Sequence, residues 1–141
     1  MEPVRLDVER TRERFASARV ARLATVGADG RPHIVPIVFA LAGEVLYTAV
    51  DGKPKSTSAL RRLDNIAADP RVAALADQYA DDWTQLWWVR ADGAARIAEP
   101  ADADTGIGLL TDRYPQYRST PPPGPVIAIR VERWTGWQAA G

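Results

Sequence analysis

Cysteine is absent and histidine occurs once, at position 33. The first absence excludes disulfides, thiolate metal sites and a cysteine nucleophile; the second leaves no imidazole cluster for a zinc centre. Neither sign of charge is in excess, with 18 Lys+Arg against 18 Asp+Glu. No global positive field exists for nucleic acid or an anionic membrane, so any anion site has to be local. Long apolar runs are missing too: none approaches the ~20 residues a spanning helix needs. The start, Met1-Glu2-Pro3-Val4-Arg5, leads into charge rather than an apolar leader. The expectation is a soluble cytoplasmic protein that neither enters a membrane nor binds nucleic acid.

What is present is a chain of 141 residues, 46% hydrophobic, a size that suits one domain spanning 1–141 around one core. Residues 6–18 carry Asp7, Glu9 and Glu13 early and Arg14 late, with Arg19 just beyond, a charge order that suits a helix dipole and predicts an N-terminal helix. Residues 20–26 and 32–41 are strand candidates around the Asp29-Gly30 turn signal, and residues 45–50 make a third strand in meander order. Residues 56–68 space Leu63, Ile66 and Ala67 as a helix, which Asp69-Pro70 stops. Residues 71–79 and 85–98 read as strands, the second bent near Asp92-Gly93, and residues 101–114 as a third helix. The proline-rich stretch 119–125 is a stiff connector into a last strand, residues 126–131. Six strands with three short helices, and no regular βαβ alternation, predict a mainly β protein built as a closed or split antiparallel barrel.

The candidate anion site joins Lys53 and Lys55, in the loop after the third strand, to Arg61 and Arg62 on the following helix. Guanidinium forks and a helix start suit a phosphate, although four such cations equally suit a solvated surface. Pro36 lacks a ladder donor and so marks an edge or opening in its strand, with or without a ligand beside it. Trp87 and Trp88 are strand neighbours and point to opposite faces, one to a core and one to solvent, a partner chain or a ring. Trp134 and Trp137 read as packing that ties down the C-terminal segment. An isolated strand histidine such as His33 is more often a hydrogen-bonded surface group than an acid or base, and no mechanism is built on it.

The run Leu23-Ala24-Thr25-Val26-Gly27-Ala28-Asp29-Gly30-Arg31-Pro32-His33 resembles the opening of the pyridoxamine-phosphate-oxidase-like split-barrel proteins. Asp51-Gly52-Lys53-Pro54-Lys55, the stretch from Arg62 to Val72 and the stretch from Asp82 to Arg90 are similar to the branch that uses coenzyme F420, a deazaflavin. This resemblance, over nearly the whole chain, implies a six-stranded antiparallel split β-barrel of the FMN-binding type. It further implies a homodimer with two cofactor sites at the subunit interface. Arg62, three residues before Asn65-Ile66, takes the phosphate-holding position, with Lys53 and Lys55 as helpers. The ring would lie along Val35, Pro36, Ile37, Thr48 and Val50, flanked by Trp88. The implied chemistry is hydride transfer to an unsaturated or quinone-like acceptor, needing neither a catalytic side chain nor a metal because the cofactor does the chemistry. Three alternatives stand beside it: an FMN-dependent oxidase of a pyridoxamine-phosphate-like amine, a non-catalytic F420- or haem-binding protein, and a tryptophan-rich domain that only dimerises.

Overall fold

The computed structural model describes residues 3–50 and 57–139, with backbone alone for 57–60. Among the described residues eight strands form one antiparallel sheet: β1 (Pro3–Leu6), β2 (Ala21–Val26), β3 (Pro32–Ile37), β4 (Ala40–Ala42), β5 (Val45–Ala49), β6 (Arg71–Gln78), β7 (Trp87–Ile97) and β8 (Val126–Ala139). Helices α1 (Val8–Ser17), α2 (Thr57–Ala68), α3 (Pro100–Arg113) and the short α4 (Gln116–Ser119) connect them. Seven strands lie in the order β3-β2-β6-β7-β8-β5-β4, and β1 pairs with the far half of β8.

The six expected strands are therefore joined by two short ones. β1 takes Leu6, expected to open the first helix, together with the three residues before it. Asp7 moves that start to Val8 by accepting the Arg10 backbone N–H at 2.8 Å as an N-cap. β4 arises because the strand expected over 32–41 divides: β3 pairs with β2, and β4 pairs with β5. The last strand runs on to Ala139, and residues 83–85 form a single 3-10 turn capped by Asp82 rather than the start of a strand.

The two edges of the sheet are thus consecutive in sequence, separated by residues 38 and 39 alone. That short crossing obliges the sheet to curl until its edges meet. Three side chains hold the seam. Thr48 donates its hydroxyl to the Val38 carbonyl at 2.8 Å. The Tyr114 hydroxyl accepts the Phe39 N–H at 3.2 Å and lies 2.9 Å from the Phe39 carbonyl oxygen. Arg113 donates to the carbonyls of Phe39 and Ala18, its guanidinium 4.7 Å from the Phe39 ring centroid, and burial pulls its pKa down.

The concave face encloses the main core, in which Phe15, Leu23, Phe39, Val89, Ile127 and Ile129 are buried, with Phe15 of α1 and Ile66 of α2 closing it. On the convex face α3 covers β4, β5 and the first part of β8, burying Tyr47, Leu110, Val126 and Ala128. Gly106 permits the approach, because a Cβ there would stand 2.8 Å from the Tyr47 ring. The remaining convex surface carries Ile34, Pro36, Leu75, Trp88 and Trp137 on strands that α3 does not cover.

Beyond α2, Asp69 accepts hydrogen bonds from the Arg71 side chain and backbone N–H, which fix the entry into β6 and hold its pKa at about 2 against an ordinary 3.8. A carboxylate with a depressed folded pKa stabilises above its unfolded pKa, and that contribution disappears as pH falls through the folded value. Asp69→Asn is accordingly expected to be less stable than the parent at pH 6, with the gap closing between about pH 4 and pH 2. Urea midpoints across that range check it; a gap independent of pH would contradict it.

Candidate functional site

The seam is tied at Val38 by Thr48 and at Phe39 by Tyr114 and Arg113. From there toward Pro32, β3 pairs with β2 on one side and, among the described residues, with no strand on the other, whereas β5 runs on to Ala49 beside β8. The sheet is split between these two strands. An edge strand presents alternate N–H and C=O groups away from its neighbour, a ready set of donors and acceptors for a ligand.

The side chains expected along this split fall into two groups. Val35 is half-buried against the core and Pro36 is exposed on the convex face. Ile37 is buried in the core, and Thr48 is buried with its hydroxyl engaged at Val38. Val50 is half-buried, and its backbone N–H donates to the Pro125 carbonyl at 3.0 Å. The Ile37 and Thr48 side chains therefore belong to packing, and what remains at those positions for a ligand is backbone. Lys53 and Lys55 lie outside the described residues. Arg62 is half-buried on α2, while Arg61 is exposed.

Trp88 stands apart. Trp87 packs against the concave core beneath the Arg14 guanidinium, 4.9 Å from its ring. Trp88 faces the convex side, opposite Trp137 on β8 and Asp77 on β6, with Arg90 5.7 Å from its ring. β7 and β3 are three strand positions apart, roughly 14 Å at the usual spacing. Within one chain Trp88 and Pro36 do not share a cleft.

Sequence reasoning passed over a polar corner under the β2–β3 hairpin. Asn65 is buried and donates from Nδ2 to the buried Thr25 hydroxyl at 3.0 Å. His33 is the cross-strand partner of Thr25, and Arg62 lies one turn before Asn65 on the same helix. The available signal was a mid-helix asparagine beside Ile66, since a buried polar group there must find a partner. Asn65, Thr25 and His33 thus gather under the β2–β3 hairpin, with Arg62 one turn before Asn65 on α2. Among the described residues no group of three His, Asp or Glu side chains is placed to hold a metal ion, and no helix is long and apolar enough to cross a membrane.

Comparison with known proteins places this geometry. A curated relative, the 5a,11a-dehydrotetracycline/5a,11a-dehydrooxytetracycline reductase of Streptomyces rimosus, is 41% identical over 56 residues, 40% of this chain and 38% of its own length. Among solved structures, an FAD-binding protein from Mesorhizobium loti superposes with a TM-score of 0.75 at 21% identity, covering 99% of this chain and 100% of that one. A heme-binding protein from Mycobacterium smegmatis gives 0.75 at 21% identity over 94% of this chain and 54% of its own. At such identities these structures share the fold. The family profile described as pyridoxamine 5'-phosphate oxidase matches residues 8–138, and the chain belongs to that family of split-barrel oxidoreductases.

Proposed function

We propose that the protein is a cytoplasmic F420-dependent reductase, a homodimer that delivers hydride to an unsaturated or quinone-like organic acceptor. The observation that carries the reading is the open edge of β3, with Arg62 on α2, the helix that packs on the adjoining β2. A planar ring seated along that edge would meet backbone donors and acceptors, and its phosphate would meet a guanidinium. The residues described fit such a group, because the buried His33 Nδ1 has no hydrogen-bond partner among them. The chemistry supplied by the bound cofactor is hydride delivery from the reduced ring carbon. The chain's own part is to bind, orient and shield. The dehydro compound in the name of the Streptomyces relative supports an unsaturated acceptor.

Trp88 supports the homodimer. Its place on the convex face, away from β3, lets it flank a ring only across an interface, and the uncovered surface around Trp137, Leu75 and Ile34 offers the area for one. FMN is the second candidate, supported by the family and by the flavin named for the Mesorhizobium neighbour.

Titration of the purified protein with F420 and with FMN, followed by turnover on enones and quinones, is the test. F420 binding with reduction of such acceptors is expected. Tight FMN binding without F420 binding would transfer the assignment to the FMN oxidase, and binding without turnover would make the protein a carrier. Arg62→Ala is expected to weaken binding by about 1 to 3 kcal/mol, the worth of a charge-assisted hydrogen bond. Unchanged affinity would remove Arg62 from the site.

A further inference from the structure

We infer that two copies of the chain meet with Leu75 on their two-fold axis, each seating Trp88 against Ala24 and Ile34 of the other and pairing Arg22 with the other's Asp77. The inference rests on the homodimer proposed above and names the contacts that build it.

Five strands contribute to the convex face that α3 leaves bare, and their registers lay its side chains out as a grid. Leu75 stands at the centre of the middle row, with Arg22 and then Pro36 on one side and Arg90 and then Thr135 on the other. Toward the end of β6 the next row holds Asp77, Trp88 and Trp137. Toward its start the next row holds Ile34, Ala24, Ala73 and Asp92. Along one diagonal through Leu75, two adjacent tryptophans thus raise a ridge on one side and two adjacent alanines leave a hollow on the other. Arg22 and Asp77 are exposed, and among the described residues neither has a charged partner.

In a two-fold dimer the same patch of both copies meets itself, so the patch has to be self-complementary. By the usual sheet spacings Arg22 stands about 5 Å from Leu75 across the strands, and Asp77 about 7 Å from it along β6. A two-fold axis that lies between the two faces, passes Leu75 and runs diagonally to the strands exchanges these two positions. It also carries the tryptophan ridge of each copy onto the alanine hollow of the other, with the strands of the two sheets crossing at near a right angle. One operation therefore satisfies both charge and shape. It brings Trp88 over Ile34 of β3, the strand with the open edge, so the second copy supplies the aromatic wall that a single chain holds three strands away.

The chain has no cysteine, so Leu75→Cys gives each copy a single thiol at the axis. A short bismaleimide is expected to convert that variant to a covalent dimer and to leave Asp104→Cys, exposed on α3, as single chains. Arg22→Asp and Asp77→Arg each set like charges against one another across the axis. Each is expected to raise the dimer dissociation constant by about tenfold or more in sedimentation equilibrium. Mixing the two variants restores both opposite-charge pairs, so a heterodimer of the parent's affinity is expected. A dimeric parent whose Leu75→Cys variant does not cross-link, charge variants that dimerise as the parent does, or a mixture as weak as its components overturns this axis and leaves the homodimer standing. A monomeric parent overturns both.

Discussion

Gly93→Ala is expected to cost on the order of 4 kcal/mol or more, a large share of the roughly 5–15 kcal/mol that keeps a domain folded. Gly93 sits at the register shift where Asp92 pairs with Arg133 but Gly93 pairs with Val131, leaving Glu132 as the extra residue. A Cβ at Gly93 would overlap the Arg130 carbonyl oxygen and lie 3.0 Å from its carbon and 3.1 Å from the Val131 Cα. All three are backbone atoms of the neighbouring strand, so no rotamer change can make room. The strands would have to part, and β7–β8 is the longest pairing in the sheet. Urea unfolding, or the soluble yield if no transition is measurable, checks this; an alanine variant within 1 kcal/mol of the parent would show that the bulge can slide.

Phe15→Ala is expected to cost about 3 to 5 kcal/mol, the usual range for emptying a buried aromatic site. Phe15 is fully buried, with its ring 5.0 Å from Phe39 and 5.7 Å from Trp134. The cavity therefore opens between α1, the seam and β8 at once. Because Phe39 is also the residue that Tyr114 and Arg113 hold, the loss reaches the closure of the barrel as well as the docking of α1. Phe15→Leu should recover more than half of the stability, and the near-ultraviolet dichroism of Trp134 should weaken in the alanine variant. A cost under 1.5 kcal/mol would mean that the neighbours collapse into the space.

The elements legible in the sequence are those whose signals are local. Asp29-Gly30 marks the β2–β3 turn, where Gly30 has a φ of 82° and Arg31 donates its N–H to Asp29. Asp69-Pro70 stops α2, and the bend expected near Asp92-Gly93 is the register shift. What was hidden depends on distant partners. β1 is a strand only because β8 lies beside it, with Pro3 opposite Ala139, and its four residues are too few for their Val4-Arg5-Leu6 alternation to announce a strand. The far half of β8 lost its period-2 pattern because Glu132 is extra: Val131 and Trp134, three apart, both face the core. At the site, Pro36 correctly marked an edge, while the burial of Ile37 and Thr48 followed from a crossing at residues 38–39 that no residue pattern announces. The bond between Thr25 and Asn65 spans 40 residues and was invisible for the same reason.

β8 supplies the partner for β1, for β5 and for β7. Three of the sheet's pairings therefore wait for the last strand to leave the ribosome, although two of the waiting strands lie in the first half of the chain. At about 5 to 20 residues per second, β1 stays without its partner for several seconds. During that interval the β2–β3 hairpin and α2 are formed from neighbours in sequence, while the apolar concave face stays open. Such non-local topology folds in milliseconds to seconds once complete, so synthesis and not collapse sets the interval of exposure. Production of this protein should therefore be more sensitive to the speed of translation and to holding chaperones than its final packing would suggest.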